Sequence, residues 1–385
     1  MKHITLIVGA RPNYMKAFPV YEALKNDFKL TLIHTGQHYD KNMNELFFNQ
    51  LNFPKPDIQL SLSNKTNNDI FNDFLYVNSR SFFTDISKNV KKLLNLKYND
   101  CQICEIRDKL IDIFKDIKPD LVLLFGDIKS TLSGALASTI CNIDIAHIES
   151  GLRSGDLEMP EEVNRIIVDR LSKYYFVTEQ SAIYNLKAEY IYDNVFFVGN
   201  TMIDTQMKFI DKALKIEYEK KCGVSKGEYI LLTLHRPSNV DNINKLKNIF
   251  RELDELINKN GLKIIYPVHP RIKNSIHSFK NKINKNIIFI EPLGYLEFTC
   301  LMANSAFIIT DSGGIQEESS ALNIPCFTLR DNTERPSTLI ENGGTNKLIK
   351  SVLECSIYDN MYIYRNNYAC SSNKIRDYLL MIFTI

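Results

Sequence analysis

Short, continuous apolar runs recur along the whole 385-residue chain, each followed by a stretch of helical character. They fall at residues 4–8, 30–34, 121–125, 143–148, 174–177 and 195–198 in the first half, and at 229–234, 263–268, 287–290, 306–310 and 326–329 in the second. A strand with one wet face alternates apolar and polar residues; a strand covered on both faces does not. The pattern therefore predicts parallel sheets with helices on both sides. The right-handed crossover rule makes each such sheet doubly wound. The length and the two sets of strands predict two α/β domains, residues 1–205 and 206–370, with a C-terminal helix at 371–385 docking back on the first. Nothing Pro- or Gly-rich marks the join, so the boundary comes from the two sheets. Residues 64–99, rich in Asn and Phe, read as a helical insertion.

Composition removes several function classes. A net charge of +2 leaves no electrostatic case for nucleic acid or an anionic membrane as partner. No apolar run reaches the ~20 residues of a membrane span, and Met1-Lys2-His3 runs straight into a strand rather than a secretory apolar segment. Cys101 and Cys104 form a lone C-x-x-C without a second pair at zinc spacing, and the other Cys are scattered in apolar contexts. Reduced thiols, a cytoplasmic location and no metal site are expected.

The reactive residue types collect at the predicted strand ends. The stretch 143–165 is the densest. An apolar run ends in His147 and Glu149, a Gly-rich loop follows, and Pro160 opens a helix with Glu161 and Glu162 in its first turn. Pro at a first helical position and carboxylates in a first turn have a local structural reason. Glu149 has none. A carboxylate there stands where open α/β sheets bind ligands, and two carboxylates on one loop suit general acid–base work. Asp127, at another strand end, is either the N-cap of the next helix or one more acid at the same edge. The turn Gly9-Ala10-Arg11-Pro12-Asn13-Tyr14-Met15-Lys16 puts Arg11 and Lys16 beside a helix N-terminus, a setting for a phosphate or other anion. It reads equally as a plain strand–helix turn with surface cations. It lacks the glycines of a Walker A or dinucleotide-binding motif.

In the second half, His235-Arg236 and His269-Pro270-Arg271 follow strand ends. The strongest local signal is Thr310-Asp311-Ser312-Gly313-Gly314-Ile315-Gln316-Glu317-Glu318, a strand running into a Gly-Gly helix start. Open backbone amides and the helix dipole make a diphosphate cradle there. Glu318, about one turn on, can accept both hydroxyls of a ribose. Thr333-Glu334-Arg335-Pro336 adds a cation near the same edge.

Together these stretches resemble the non-hydrolysing UDP-N-acetylglucosamine 2-epimerase family. The match runs through Gly9–Lys16, His34-Thr35-Gly36-Gln37-His38, Gly126-Asp127, His147–Arg153, Pro160–Arg165, Gly199-Asn200-Thr201, His235-Arg236 and Asp311–Glu318 to Thr333–Pro336, in the family's order. The resemblance implies a glycosyltransferase-B type α/β fold, two Rossmann-like doubly wound parallel-sheet domains facing across a cleft, and a homodimer. It implies anti elimination of UDP from UDP-GlcNAc to 2-acetamidoglucal, then re-addition to give UDP-ManNAc, with no metal or redox cofactor. By resemblance Asp127, Glu149, Glu161 and His235 are catalytic. Arg11, Lys16, Phe298, Ser312, Gly313, Gly314, Glu318 and Arg335 match UDP-sugar contacts, with Phe298 facing the uracil. Gln37, His38, Arg236 and His269 match a second, activating UDP-GlcNAc site, although Tyr39-Asp40-Lys41-Asn42 departs from the segment that completes it. The Gly-Ala-Arg-Pro-Asn turn favours the non-hydrolysing branch.

Other readings stay open on sequence. The opening turn and His34–Asp40 also resemble epimerases of UDP-2,3-diacetamido-glucuronic acid, for whose carboxylate Arg153 and Lys129 are candidate cations. A hydrolysing epimerase releasing ManNAc and UDP, a glycosyltransferase and a non-catalytic UDP-sugar sensor share the nucleotide cradle.

Overall fold

The structure is a computed structural model. It describes residues 1–37, 52–62, 101–268, 272, 283–355 and 370–384, without the side chains of Arg11 and Cys101. The expected insertion helix at 64–99 lies outside these residues. The described residues form two compact units. The first takes in those up to Asp204 and from Cys370 on, and the second those from Thr205 to Cys355.

The first unit holds β1 (His3–Val8), α1 (Arg11–Leu24), β2 (Lys29–His34), β3 (Ile58–Gln59), α2 (Cys101–Ile117), β4 (Leu121–Phe125), α3 (Lys129–Ile140), β5 (Asp144–Ile148), α4 (Pro160–Leu171), β6 (Tyr174–Val177), α5 (Gln180–Ala188) and β7 (Val195–Phe197). Its seven strands are all parallel, in the order β3-β2-β1-β4-β5-β6-β7. Helix α6 (Thr201–Leu214) leads into the second unit, which holds α7 (Tyr218–Lys221), β8 (Tyr229–Thr233), α8 (Pro237–Val240), α9 (Ile243–Asn260), β9 (Lys263–Pro267), β10 (Ile287–Ile290), α10 (Tyr295–Asn304), β11 (Phe307–Thr310), α11 (Gly313–Ala321), β12 (Cys326–Leu329) and β13 (Asn346–Ile349). Its six strands are parallel too, in the order β10-β9-β8-β11-β12-β13.

Burial on both faces explains the unbroken apolar runs. In β8, Ile230 and Leu232 enter one core while Tyr229 and Leu231 enter another. Successive side chains point to opposite faces, so a sheet covered twice needs every position apolar. The exceptions are β3 and β13, which sequence patterning does not anticipate. Both lie at sheet edges, and Ile58-Gln59 and Asn346-Lys347-Leu348-Ile349 are too short or too polar to stand out.

In each unit the strand order reverses between two neighbours, β1 and β4 in the first and β8 and β11 in the second. Chains leaving adjacent strands there diverge to opposite faces, which opens a crevice at the strands' carboxyl ends.

Helix α12 (Ser371–Thr384) packs on the first unit. Ile375 and Leu379 are buried, Tyr378 lies 4.5 Å from Phe196, and Phe383 lies 5.8 Å from Phe28. Its first amides are capped from a distance: Asp204, in α6, accepts Ser371 N–H at 3.1 Å and Ser372 N–H at 2.7 Å. We expect Asp204→Ala to cost about 1–2 kcal/mol by urea unfolding, with faster hydrogen exchange in α12. Unaltered protection in α12 would show that its apolar face alone holds it.

Candidate active site

At the first unit's reversal, the turn after β5 takes an unusual path. Glu149 adopts a left-handed backbone with φ 73°. Few non-Gly residues do so without a compensating arrangement. Here its amide and that of Ser150 both donate to the Phe176 carbonyl of β6, at 3.0 and 3.3 Å. The Glu149 side chain is 3% exposed and forms an ion pair with Lys16 Nζ, from the second turn of α1. The turn after β4 lies against this ion pair. Gly126 has φ +63°, and a Cβ there would sit 2.9 Å from Lys16 Nζ. Lys16, expected at a nucleotide phosphate, is thus the partner of Glu149.

Asp127 follows Gly126. It is not a helix cap: α3 starts at Lys129, with Ile128 in the cap position and no side-chain cap bond. Its carboxylate is paired instead with Arg165 Nη2, and its carbonyl accepts Asn164 Nδ2 at 2.7 Å. Both partners come from α4. The amide that would have wanted a cap, Ser130 N–H, donates to Gln37 Oε1 at 2.8 Å, as does Ser130 Oγ at 2.6 Å. Gln37, matched to a second ligand site, therefore closes the start of α3.

The two first-turn carboxylates of α4 separate. Glu162 is buried, accepting Arg165 Nη1 at 2.9 Å and the amides of Ser154 and Gly155 at 2.9 and 3.0 Å. Glu161 is exposed, one helical turn before Arg165. Arg153, a candidate cation for a carboxylated sugar, is turned inward: Nε donates to Glu189 at 2.6 Å and Nη2 to Asp169 at 2.8 Å. Lys129 Nζ donates to Gln102 Oε1 at 3.3 Å.

At the second unit's reversal, Thr233 and Thr310 are register partners whose hydroxyls lie 2.6 Å apart. Asp311 follows, fully buried. Its oxygens accept the amides of His235 at 3.1 Å and Arg236 at 2.9 Å and the Asn239 side-chain amide at 3.2 Å, and Oδ1 stands 2.8 Å from His235 Nδ1. One carboxylate thereby shapes the whole loop after β8. Anchoring through Nδ1 makes Nε2 of His235 the nitrogen that can accept a proton. Arg236 Nε donates to the Asp311 carbonyl at 2.9 Å.

Beyond Ser312, α11 opens at Gly313 without a side-chain cap bond. A Cβ at Gly313 would lie 2.5 Å from both Arg335 Nη1 and Glu334 Oε1, so glycine is what lets Arg335 pack against the helix start beside Gly314. Arg335 Nε pairs with Glu317 at 2.8 Å, and Nη1 pairs with Glu334. Glu318 is 8% exposed and accepts Tyr295 Oη at 3.2 Å. Phe298 is half-buried on α10 against the core that contains Ile315. The Arg11 side chain, His38 and His269 lie outside the described residues.

Sequence reasoning assigned no role to Asp311, Arg165 or Tyr295. Arg165 carried a usable signal, a cation four residues after Glu161 on one helix face. Asp311 sat inside the Gly-Gly motif, but only the fold brings the loop after β8 to it. Among the described residues no cluster of His, Cys, Asp and Glu is arranged to hold a metal, and no helix is long and apolar enough to cross a membrane.

Burial, the largest influence on Asp311, pushes its carboxyl up; the hydrogen bond and charge of His235 and the amides of Arg236 and His235 outweigh it and hold the group below its ordinary value. Its stabilising contribution is complete above the ordinary carboxylate range near pH ~4 and is lost as pH falls through the lowered folded value. Asp311→Asn should therefore weaken the fold near neutral pH and flatten the acid limb of a stability–pH profile. An acid limb identical to wild type would remove Asp311 as its source.

A family model described as UDP-N-acetylglucosamine 2-epimerase matches residues 22–84 and 79–378. The UDP-N-acetylglucosamine 2-epimerase of Methanocaldococcus jannaschii is 39% identical over 364 residues, 91% of each chain. The UDP-2,3-diacetamido-2,3-dideoxy-D-glucuronate 2-epimerase of Pseudomonas aeruginosa is 36% identical over 340 residues, 87% of this chain and 84% of that one. The crystal structure of the Methanocaldococcus jannaschii UDP-GlcNAc 2-epimerase in complex with UDP-GlcNAc and UDP superposes with a TM-score of 0.80 at 36% identity, covering 98% of this chain and 99% of that chain. Two doubly wound parallel-sheet domains are the glycosyltransferase-B type of architecture. On the extent of these matches, the chain belongs to the UDP-N-acetylglucosamine 2-epimerase family.

Proposed function

We propose that this chain is a non-hydrolysing 2-epimerase that interconverts UDP-GlcNAc and UDP-ManNAc. The observation that carries the reading is the pair of acids at the first unit's strand-order reversal, Asp127 and Glu149, each set against a buried cation. In the reaction a carboxylate takes the C2 proton. The C2–H electron pair becomes the C1=C2 bond of 2-acetamidoglucal, and the C1–O pair departs with UDP. UDP then re-adds at C1 while a proton is delivered to the other face of C2. Nothing is oxidised overall, so the reading needs no redox cofactor.

C2–H is a poor acid, so its loss has to be coupled to C1–O cleavage and to stabilisation of the departing diphosphate. The open amides at Gly313-Gly314, the α11 dipole and Arg335 supply that stabilisation. Glu318 binds the ribose and Phe298 faces the uracil. Arg11 and Lys16 add cations, and His235, oriented by Asp311, joins Asp127, Glu149 and Glu161 in the proton chemistry.

Proton NMR in D2O with UDP-GlcNAc tests this directly. We expect deuterium at C2 together with UDP-ManNAc. Free ManNAc and UDP as the only products would make the enzyme a hydrolase; no exchange would refute the substrate and bring the diacetamido-glucuronate into the same assay. Glu149→Gln should abolish exchange yet bind UDP, and wild-type turnover in that variant would remove Glu149 from the chemistry. Glu318→Ala should weaken UDP binding ~10-fold or more in calorimetry, whereas unchanged affinity would contradict the ribose role.

A further inference from the structure

Behind the acids of the first unit lies a buried His–Asp pair to which the chemistry above assigns nothing. His147, in β5, is completely buried. Its Nδ1 stands 2.6 Å from Asp169 Oδ1 and its Nε2 stands 2.8 Å from the Gly126 carbonyl. Asp169, in α4, is also completely buried, and its other oxygen accepts Gly151 N–H at 3.0 Å and Arg153 Nη2 at 2.8 Å. Burial is the largest influence on Asp169 and pushes its carboxyl up. Arg153, His147 and their hydrogen bonds outweigh it and hold the group below its ordinary value. The imidazole thus bridges a carboxylate of α4 and the carbonyl of the turn after β4.

The connections fall where the reactive side chains need them. The Gly126–Asp127 turn is held on one side by Gly126 N–H to the Ile148 carbonyl at 3.0 Å, and on the other by His147. The Glu149–Gly151 turn is held on one side by Glu149 N–H to Phe176, and on the other by Asp169. Asp169 also belongs to the helix that carries Glu161 and Arg165. Two sharp turns with positive φ and one helix thus share a single dry node.

We propose that His147 and Asp169 are positioning residues, a buried pair that fixes the first unit's acids relative to one another. Neither reaches the surface, so both act through the backbone they hold. The proposal rests on the epimerase reading for its catalytic consequence but not for its structural one. A misplacement of ~1 Å in a reacting group costs about 10²-fold in rate.

The test uses His147→Asn and His147→Gln in the full-length protein. Asn can keep a donor toward Asp169 and loses the reach to Gly126; Gln can keep the Gly126 bond and loses Asp169. We expect His147→Asn to lower kcat about 100-fold per UDP-binding site, with the UDP dissociation constant within twofold of wild type. In His147→Asn the amides of the 126–127 turn should exchange faster while those of the second unit do not, and His147→Gln should keep protection at 126–127 and lose it at 151. A merely structural role would reduce the number of folded sites and leave kcat per site unchanged, and that result would overturn the proposal. Asp169→Asn, which keeps shape and drops charge, is the substitute where His147→Asn does not fold. If wild type shows no C2 exchange with either UDP-sugar, the epimerase reading fails by itself, and the proposal stands or falls on exchange protection in the two turns.

Discussion

In an open sheet covered by helices on both faces, parallel strands joined by right-handed crossovers cannot all send their connections the same way. Where the direction changes, two neighbouring strands release their chains to opposite faces and leave a gap at their carboxyl ends. Each unit here contains one such gap, and the reactive residue types described above gather at the two gaps and the turns beside them. The first unit contributes the turns after β1, β4 and β5, and the second the turns after β8 and β11. The sheet order dictates which turns are neighbours; residue chemistry only has to exploit it.

What occupies the first gap is charge held away from water. Lys16 with Glu149 and Arg165 with Glu162 are ion pairs whose members are at most 7% exposed. Such pairs add little to stability, because desolvating both partners offsets their attraction, and losing one partner leaves a costly orphan. In the proposed reaction their value is kinetic. Charges already stripped of water and braced by neighbours need no solvent reorganisation when a substrate's own charge shifts. The neutral, well-packed alternative would be easier to fold and chemically inert.

Much of this was legible in the chain. Strands buried on both faces announce themselves as unbroken apolar runs, and β1, β2 and β4–β12 fell within a residue or two of expectation. The edge strands β3 and β13 did not, because Ile58-Gln59 is only two residues long and Asn346-Lys347 breaks the apolar run of the other. Acids and cations at strand ends could be named singly, since a local reason for a residue is a local question. Pairing could not. Asp127 next to Arg165, Lys16 next to Glu149 and Asp311 next to His235 each join segments separated by a helix or more, and spacing carries no information across that distance. Reading Asp127 as a possible helix cap failed for the same reason: the acceptor that replaced it, Gln37, arrives from the far side of the sheet reversal.

Two glycines show how space, as much as charge, makes these sites. Gly126 lies against Lys16 Nζ, and Gly313 lies against Arg335 and Glu334. In each case a cation occupies the volume that a methyl group would take. Alanine, the usual tool for deleting a side chain, is at these positions an insertion. An alanine scan would score Gly126 and Gly313 alongside the charged residues they accommodate, although neither donates, accepts or moves a proton by its side chain. The inventory of groups that do chemistry and the inventory of positions sensitive to a change of side chain are therefore different sets in this protein.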